Sequence, residues 1–214
     1  MMKWAIITGA SSGIGEEFAH EFYDMGYSLV MVSKTSEKLI SLKNRLEKIN
    51  AARRNKYQKK ASSRKQENPA SNMDEIESAV NNETAGTGKS NRSAKAQRIE
   101  IIAADLGDAA GMETAAAKIK ALFGDPENLP AILINSAGFG AVGDFSNISI
   151  EKQEAMIDVN VKGLVYLTYQ VLPIMEKAGG GRILNVASSA GFFPGGPYMT
   201  IYYATKAFVL SFTN

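Results

Sequence analysis

Short apolar runs alternate with stretches of helical periodicity along most of this chain. The strand-like runs cover about residues 3–7, 28–32, 99–103, 131–135 and 182–187. Between them, apolar residues recur every three or four positions, as on amphipathic helices. This pattern predicts helices over about 13–25, from 35 or 36 through 49, over 112–122, over 151–177 with a break near its start and a bend at Pro173, and from 200 onward. Alternating strands and helices predict an α/β fold with a parallel sheet covered by helices.

Residues 51–98 interrupt this alternation. They hold few large apolar residues and many lysines, arginines, asparagines and serines, with a net charge of +6 against −4 for the rest of the chain. We interpret the segment as a basic insertion, disordered or loosely helical, between the second helix and the third strand. A basic arm for nucleic acid or an acidic partner is the alternative, which charge alone supports. We expect no nucleic-acid partner.

Length and composition fit a single globular domain. The chain has 214 residues, 45% of them hydrophobic, and no cysteine, which excludes disulfides and thiolate metal sites. The first residues run directly into a glycine-rich turn without the layout of a signal peptide. The longest apolar stretch, residues 163–175, is too short to span a bilayer. We therefore expect a cytoplasmic protein with no membrane partner and no metal site.

A glycine-rich turn lies between the first predicted strand and the first predicted helix. Gly9, Gly13 and Gly15 follow a G-x-x-x-G-x-G pattern. Without side chains, such a turn lets backbone N–H groups approach a pyrophosphate at the positive end of the helix. The strand–turn–helix context is the one that a dinucleotide site requires. The predicted site of this turn comprises Gly9, Ser11, Ser12, Gly13, Ile14 and Gly15.

The end of the second predicted strand indicates which dinucleotide is bound. A carboxylate there would bind the ribose 2′-hydroxyl of NAD, whereas a cation would neutralise the 2′-phosphate of NADP. This chain has Ser33, Lys34 and Thr35 at that point and no acidic residue. Lys34 and the neighbouring hydroxyls therefore favour NADPH. An ordinary exposed lysine is the alternative interpretation.

Residues 202–206 carry a second candidate site. Tyr202 and Lys206 are four positions apart and share one face of a helix. A free phenol has a pKa near 10 and is a poor acid or base at neutral pH, but a nearby ammonium favours its phenolate. Ser189, in a serine pair with Ser188, could add a hydroxyl beside the phenol. Together these groups suit proton transfer in the interconversion of C=O and CH–OH.

These motifs resemble the short-chain dehydrogenase/reductase family over about residues 1–50 and 99–214. The resemblance rests on the glycine pattern of Thr8 to Gly15, on Asp105-Leu106 at the adenine pocket, on Asn135-Ser136-Ala137-Gly138 where the family has N-N-A-G, on Asn160 in the long helix, on Ser189 thirteen residues before the tyrosine, and on Tyr202 with Lys206. It implies a three-layer, Rossmann-like, doubly wound parallel sheet of order 3-2-1-4-5, and one NADP-binding domain over residues 1–214.

The resemblance also implies an activity: NADP(H)-dependent hydride transfer between the nicotinamide and a carbonyl or alcohol. Tyr202 would be the general acid/base, Ser189 would orient the substrate oxygen, Lys206 would bind the nicotinamide ribose, and Asn160 would help to hold a relay water. Further cofactor contacts would come from Asp105, Leu106, Asn135, Ala137 and Gly138. Phe192, Phe193 and Tyr198 suggest an apolar substrate, although core packing would explain them equally well. The resemblance implies a homodimer or homotetramer.

The chain is C-terminally truncated relative to that family pattern. Members usually continue for several tens of residues after the lysine, which supply further strands, a loop against the nicotinamide and a lid. If this chain is the whole molecule, its fifth strand is an unpaired edge. We then expect weaker cofactor binding and poorer turnover than in a full-length relative.

Three other functions share part of this sequence pattern. Residues 9–13 also fit the G-x-S-x-G pattern of a hydrolase, but the only histidine, His20, comes too early in the chain for that fold. A nucleotide-sugar epimerase shares the tyrosine–lysine pair but needs a longer C-terminal domain. A non-catalytic dinucleotide-binding or scaffold protein is the main rival, because it would bind NADPH and ignore carbonyl substrates.

Overall fold

A computed structural model describes residues 1–67 and 96–213 of the chain. Within these residues the strands are β1 (Met2–Thr8), β2 (Ser28–Ser33), β3 (Ile99–Ala103), β4 (Asn128–Asn135) and β5 (Arg182–Asn185). They form one parallel sheet in the order β3-β2-β1-β4-β5. The predicted strand order is confirmed.

Helices connect the strands and cover both faces of the sheet. They are α1 (Gly13–Asp24), α2 (Ser36–Glu67), α3 (Ala109–Leu122), α4 (Ile150–Ile157), α5 (Leu164–Lys177) and α6 (Thr200–Thr213). Short 3-10 turns span Phe145–Asn147 and Ser189–Phe192. Within the described ranges, 1–67 and 96–213, no helix has both the length and the apolar character needed to cross a bilayer.

The central strand β1 shows why the molecule has three layers. Successive side chains of a strand point to opposite faces. Trp4 and Ile6 are fully buried in a core shared with α3 and α5. Ala5 and Ile7 are fully buried in a second core shared with α1 and α2. The continuous apolar run of residues 4–7 is therefore buried on both faces of the sheet, which confirms the predicted three-layer, doubly wound fold.

Helix α2 is longer than the sequence pattern predicts. Leu39, Leu42 and Leu46 of its apolar stripe are buried, but Ile49 is exposed. The helix then continues to Glu67, so residues 51–67, assigned to the insertion, prolong it. Beyond the apolar stripe a polar contact holds the helix, because Arg53 forms an ion pair with Asp24 at the end of α1. The rest of the predicted insertion, residues 68–95, lies outside the described residues.

The long helix predicted over 151–177 is divided into two. A π-helical stretch, Asp158–Gly163, separates α4 from α5. A π-helical turn accommodates one extra residue and often occurs at functional sites. Here it holds Asn160, whose side chain is buried. Helix α5 continues through Pro173 to Lys177.

Strand β5 forms one edge of the sheet. It covers four residues, two fewer than the sequence pattern predicts, and pairs with β4 from Arg182 to Asn185. The pairing extends by one further backbone bond, from Val186 N–H to the Asn135 carbonyl at 2.9 Å. The chain then leaves the sheet toward Ser189, at the same carboxyl edge from which the glycine-rich turn leaves β1.

Candidate cofactor and active site

The glycine-rich turn is held close to the loop that follows β4. Gly9 has a φ of +66°, and a Cβ there would lie 2.8 Å from the backbone nitrogen of Ala137. The Thr8 hydroxyl accepts hydrogen bonds of 3.0 Å from the backbone N–H groups of Ser136 and Ala137. Glycine is therefore required at position 9, both for its backbone conformation and for the close approach of the two loops.

The N-terminus of α1 leaves its first backbone N–H groups without a side-chain cap. Ser12 is the N-cap residue with an extended backbone, and its hydroxyl makes no capping bond. Uncapped N–H groups at the positive end of a helix form a binding site for an anion. The turn thus has the geometry that a dinucleotide pyrophosphate needs.

A cleft of about 560 Å³ runs from this turn to α6. Its size is within the usual range for ligand sites. Most of the predicted cofactor residues line it: Gly9, Ser11, Ser12, Gly13, Ile14, Ser33, Lys34, Asp105, Leu106, Ala137, Gly138, Tyr202 and Lys206. The structure therefore brings both candidate sites of the sequence analysis to one cavity.

Four of the predicted site residues are not part of this lining. Gly15 packs against the carbonyl oxygen of Gly9. Asn135 is buried and donates its amide hydrogens to Thr168 Oγ1 at 3.0 Å and Asn185 Oδ1 at 2.8 Å. These hydrogen bonds join β4 to α5 and β5. Asn135 therefore stabilises the elements around the cleft and does not line it. Asn160 and Ser189 are the other two.

The end of the cleft beside β2 and the glycine-rich turn is more polar than the sequence predicts. Ser33 Oγ donates to Ser11 Oγ at 2.8 Å, which joins β2 to the glycine turn. Lys34 Nζ lies 3.9 Å from a carboxylate oxygen of Asp105 in an exposed ion pair. Lys38, in the first turn of α2, also lines the cleft. Sequence reasoning missed Lys38, although its position four residues after Lys34 is a usable signal.

Lys206 lies buried at the opposite end, beside Tyr202. Its ammonium is 5.8 Å from the centre of the Tyr202 ring and donates a hydrogen bond of 2.8 Å to the Val186 carbonyl. Burial disfavours the charged form and lowers the pKa of Lys206 from its usual value. The ring of Tyr202 contacts Gly140, where a Cβ would lie 3.1 Å from the ring edge.

The two serines after β5 have different environments. The Ser188 hydroxyl accepts a hydrogen bond of 3.2 Å from Ala190 N–H and caps the short 3-10 turn. Ser189 is exposed, and its hydroxyl has no hydrogen-bond partner in the described part of the chain. Ser188 therefore has a structural task, and Ser189 is the one whose hydroxyl is available to a ligand.

The side chain of Asn160, predicted to help hold a relay water, is already hydrogen-bonded within the protein. Its Oδ1 accepts from Phe139 N–H at 3.0 Å, and its Nδ2 donates to the Phe139 carbonyl at 2.9 Å and to Thr205 Oγ1 at 3.1 Å. Both amide hydrogens are thus occupied. A water could still bind the second lone pair of Oδ1 or the backbone carbonyl.

The geometry does not favour the hydrolase alternative. The Ser11 hydroxyl is bonded to Ser33, and His20 lies on α1 and does not line the cleft. A serine nucleophile needs a base within hydrogen-bond reach. Among the described residues, no group of three histidine, aspartate or glutamate side chains could hold a metal ion. The groups that do meet in the cleft are a phenol, an ammonium and a helix N-terminus, which suit proton transfer beside a bound dinucleotide.

Comparisons with known proteins agree with this geometry. The chain resembles the oxidoreductase UcpA of Salmonella typhimurium, with 29% identity over 212 residues, 99% of this chain and 61% of that protein. It also resembles the solved structure of a short-chain dehydrogenase from Sphingobium yanoikuyae in complex with NADPH, with a TM-score of 0.67, 29% identity and coverage of 99% and 62%.

A second solved structure is similar to the same extent. It is the bulky-bulky ketone specific alcohol dehydrogenase from Comamonas testosteroni, with a TM-score of 0.69, 27% identity and coverage of 98% of this chain and 64% of that one. The chain thus spans less than two thirds of each of these three proteins. A family model described as short chain dehydrogenase matches residues 3–82 and 72–214. The chain belongs to the short-chain dehydrogenase family.

Proposed function

We propose that this protein is an NADP(H)-dependent oxidoreductase that interconverts a ketone or aldehyde and an alcohol. The observation that carries the proposal is that Tyr202 and Lys206 line the same cleft as the glycine-rich turn. One cavity can therefore hold a dinucleotide along its length and present a carbonyl to a phenol at one end. The similarity to the NADPH complex of the Sphingobium yanoikuyae protein supports this choice of cofactor.

The residues around Tyr202 have distinct roles in this proposal. Bound NADPH would supply the hydride to the carbonyl carbon. The Tyr202 hydroxyl gives its proton to the carbonyl oxygen in reduction and takes it back in oxidation. Ser189 holds that oxygen through its unengaged hydroxyl. Lys206 holds the nicotinamide ribose, because its ammonium faces the cleft beside Tyr202.

Two lysines support NADPH over NADH. Lys34 and Lys38 both line the adenosine end of the cleft, where a 2′-phosphate would lie. Asp105 partly balances the charge of Lys34 across 3.9 Å. The side chain of Lys34 is 73% exposed in this pair, and an ion pair so exposed is weak. Lys34 can therefore exchange Asp105 for a phosphate at little cost.

The substrate is a small apolar carbonyl compound or alcohol. Phe192, Phe193 and Tyr198 follow β5 on the segment between Ser189 and α6, and all three are more than half exposed. Core packing therefore does not account for them. Val142, in the facing loop, is 75% exposed, and the adjoining Gly143 N–H bonds the Tyr198 carbonyl at 2.9 Å. Exposed apolar side chains grouped on a protein surface are typical of a binding surface.

The protein works in the cytoplasm as a homodimer or homotetramer. The support for assembly is an apolar surface on α5, where Tyr169 and Leu172 are exposed. A mass measurement by light scattering tests it, since a monomer at working concentration would contradict it. Neither a nucleic acid nor a membrane is a partner in this proposal.

The test of the function combines binding with turnover. The purified chain is titrated with NADPH and with NADH, and is then assayed on a series of aryl and alkyl ketones. We expect saturable binding with NADPH tighter, and reduction of the more apolar ketones. Tyr202→Phe is expected to abolish nearly all turnover and to keep the NADPH affinity, because it removes only the acidic hydroxyl.

The rival function gives a different result in the same experiment. A dinucleotide-binding scaffold would bind NADPH, turn over none of the ketones and respond to Tyr202→Phe in neither assay. Absence of binding to both nucleotides would contradict both proposals.

A further inference from the structure

Thr205 lies next to Lys206 in the sequence but faces the interior of the protein. Its side chain is 3% exposed. The hydroxyl donates a hydrogen bond of 2.8 Å to the carbonyl of Tyr202, three residues earlier on α6. It also accepts one of 3.1 Å from Asn160 Nδ2 in the π-helical stretch. A single hydroxyl thus joins two helices at the point where Tyr202 is anchored.

Asn160 extends this link to the loop after β4. Its side-chain amide makes two hydrogen bonds to the Phe139 backbone: Oδ1 accepts from the N–H at 3.0 Å, and Nδ2 donates to the carbonyl at 2.9 Å. The fit is close, because a Cβ on the adjacent Gly138 would lie 2.8 Å from Asn160 Oδ1. Gly138 and Phe139 line the cleft near Lys206. The chain of contacts therefore runs from the cleft wall through Asn160 and Thr205 to the backbone of Tyr202.

We infer that Thr205 is a positioning residue, which sets Tyr202 relative to the cleft wall at Phe139 through the side chain of Asn160. The inference rests on the proposed function for its effect on turnover. The hydroxyl is needed as an acceptor, because a buried amide N–H without a partner is costly. A methyl group in its place would leave one hydrogen of Asn160 unpaired and would loosen the amide that holds the Phe139 backbone. Small displacements of this kind can cost about 100-fold in rate.

Three substitutions separate positioning from general stability. Thr205→Val keeps the shape and removes the acceptor, Thr205→Ser keeps the acceptor, and Ser211→Val changes an exposed residue of the same helix as a control. We expect Thr205→Val to lower kcat by about tenfold to 100-fold with NADPH affinity unchanged. Thr205→Ser and Ser211→Val are expected to stay within about twofold of the wild type. Thr205→Ala replaces Thr205→Val if the latter does not fold.

A second readout does not depend on activity. The Phe139 N–H donates a hydrogen bond to Asn160 Oδ1, so its hydrogen exchange reports whether the contact between Asn160 and the Phe139 backbone is intact. We expect faster exchange at Phe139 in Thr205→Val and unchanged exchange in Thr205→Ser. Wild-type exchange at Phe139 in Thr205→Val, or equal losses of kcat in the valine and serine variants, would overturn the inference. If the wild type turns over no ketone, the proposed function fails while the exchange result still decides this link.

Discussion

The ammonium of Lys206 donates a hydrogen bond of 2.8 Å to the backbone carbonyl of Val186, immediately beyond β5. This bond fastens the helix that bears Tyr202 to the end of the edge strand. No carboxylate of residues 1–67 and 96–213 forms an ion pair with Lys206. The lysine is 8% exposed, and burial lowers its pKa. The cleft thus contains a buried cation that no carboxylate among the described residues neutralises.

This arrangement predicts a pH dependence of stability. Because the pKa of Lys206 is lower in the folded than in the unfolded chain, the unfolded chain binds more protons between those two values. The contribution of Lys206 to the free energy of unfolding is therefore fully present above the unfolded pKa, near 10.4, and is lost as the pH falls through the folded pKa. From pH 7 to 10, wild type is expected to gain stability relative to Lys206→Met.

The measurement uses urea unfolding followed by fluorescence of Trp4, the single tryptophan, which is buried under Arg98. Lys177→Met, at an exposed position, serves as the control and is expected to track wild type at every pH. A constant difference between wild type and Lys206→Met across this range would contradict the prediction.

In the glycine-rich turn, replacing glycine by alanine is expected to lower the free energy of unfolding by different amounts at positions 9 and 13. At Gly9, alanine would be strained by a φ of +66° and would press against Ala137. Strain and overpacking together are expected to cost about 2–4 kcal/mol. At Gly13, φ is +56° but nothing lies within 4 Å of the added Cβ, so alanine is expected to cost about 1–2 kcal/mol.

Urea unfolding and NADPH titration of both variants provide the check. Because Gly13 lines the cleft, Gly13→Ala is expected to weaken NADPH binding more than its small loss of stability suggests. Equal destabilisation by the two substitutions would show that the contact with Ala137 carries no energy.

The serine pair predicts a separation of stability from activity. Ser188 caps the turn after β5 through Ala190 N–H, so Ser188→Ala is expected to lower stability by about 1 kcal/mol. Ser189→Ala removes an unengaged hydroxyl and is expected to leave stability unchanged while kcat/KM falls at least tenfold. Steady-state kinetics with the best ketone substrate and thermal unfolding of both variants test this. Reversed effects would make Ser188 the substrate ligand.

The adenosine end of the cleft predicts how nucleotide preference changes. Lys34→Ala and Lys38→Ala are each expected to raise the Kd for NADPH about tenfold, the effect of losing one charge-assisted hydrogen bond. NADH affinity should not change, because NADH lacks the 2′-phosphate. Lys48→Ala, at an exposed position farther along α2, is the matched control. Parallel losses for NADPH and NADH would indicate a general electrostatic effect instead of recognition of the 2′-phosphate.

Local features of the sequence were sufficient for the five strands and most of the helices, whereas the strand order followed from the family resemblance. The predicted strand β3, Ile99–Ala103, coincides with the observed one, and α1 begins at Gly13 as predicted. Buried parallel strands are continuous apolar runs and amphipathic helices repeat every three to four residues, so both can be read without knowing their neighbours. The end of α2 could not be predicted in this way, because α2 extends beyond its apolar stripe and continues to Glu67.

The candidate site likewise has features that the sequence predicts and features that only the tertiary structure shows. Spacing alone placed Tyr202 and Lys206 on one face of a helix and Gly9 and Gly13 in a turn. Sequence order could not indicate that Asn135 points away from the cleft, that Lys38 lines it, or that Asn160 and Thr205 share a hydrogen bond. These facts depend on contacts between residues far apart in the chain. Periodicity reports which face of an element is buried, and only the packing of elements against one another decides what each buried polar group meets.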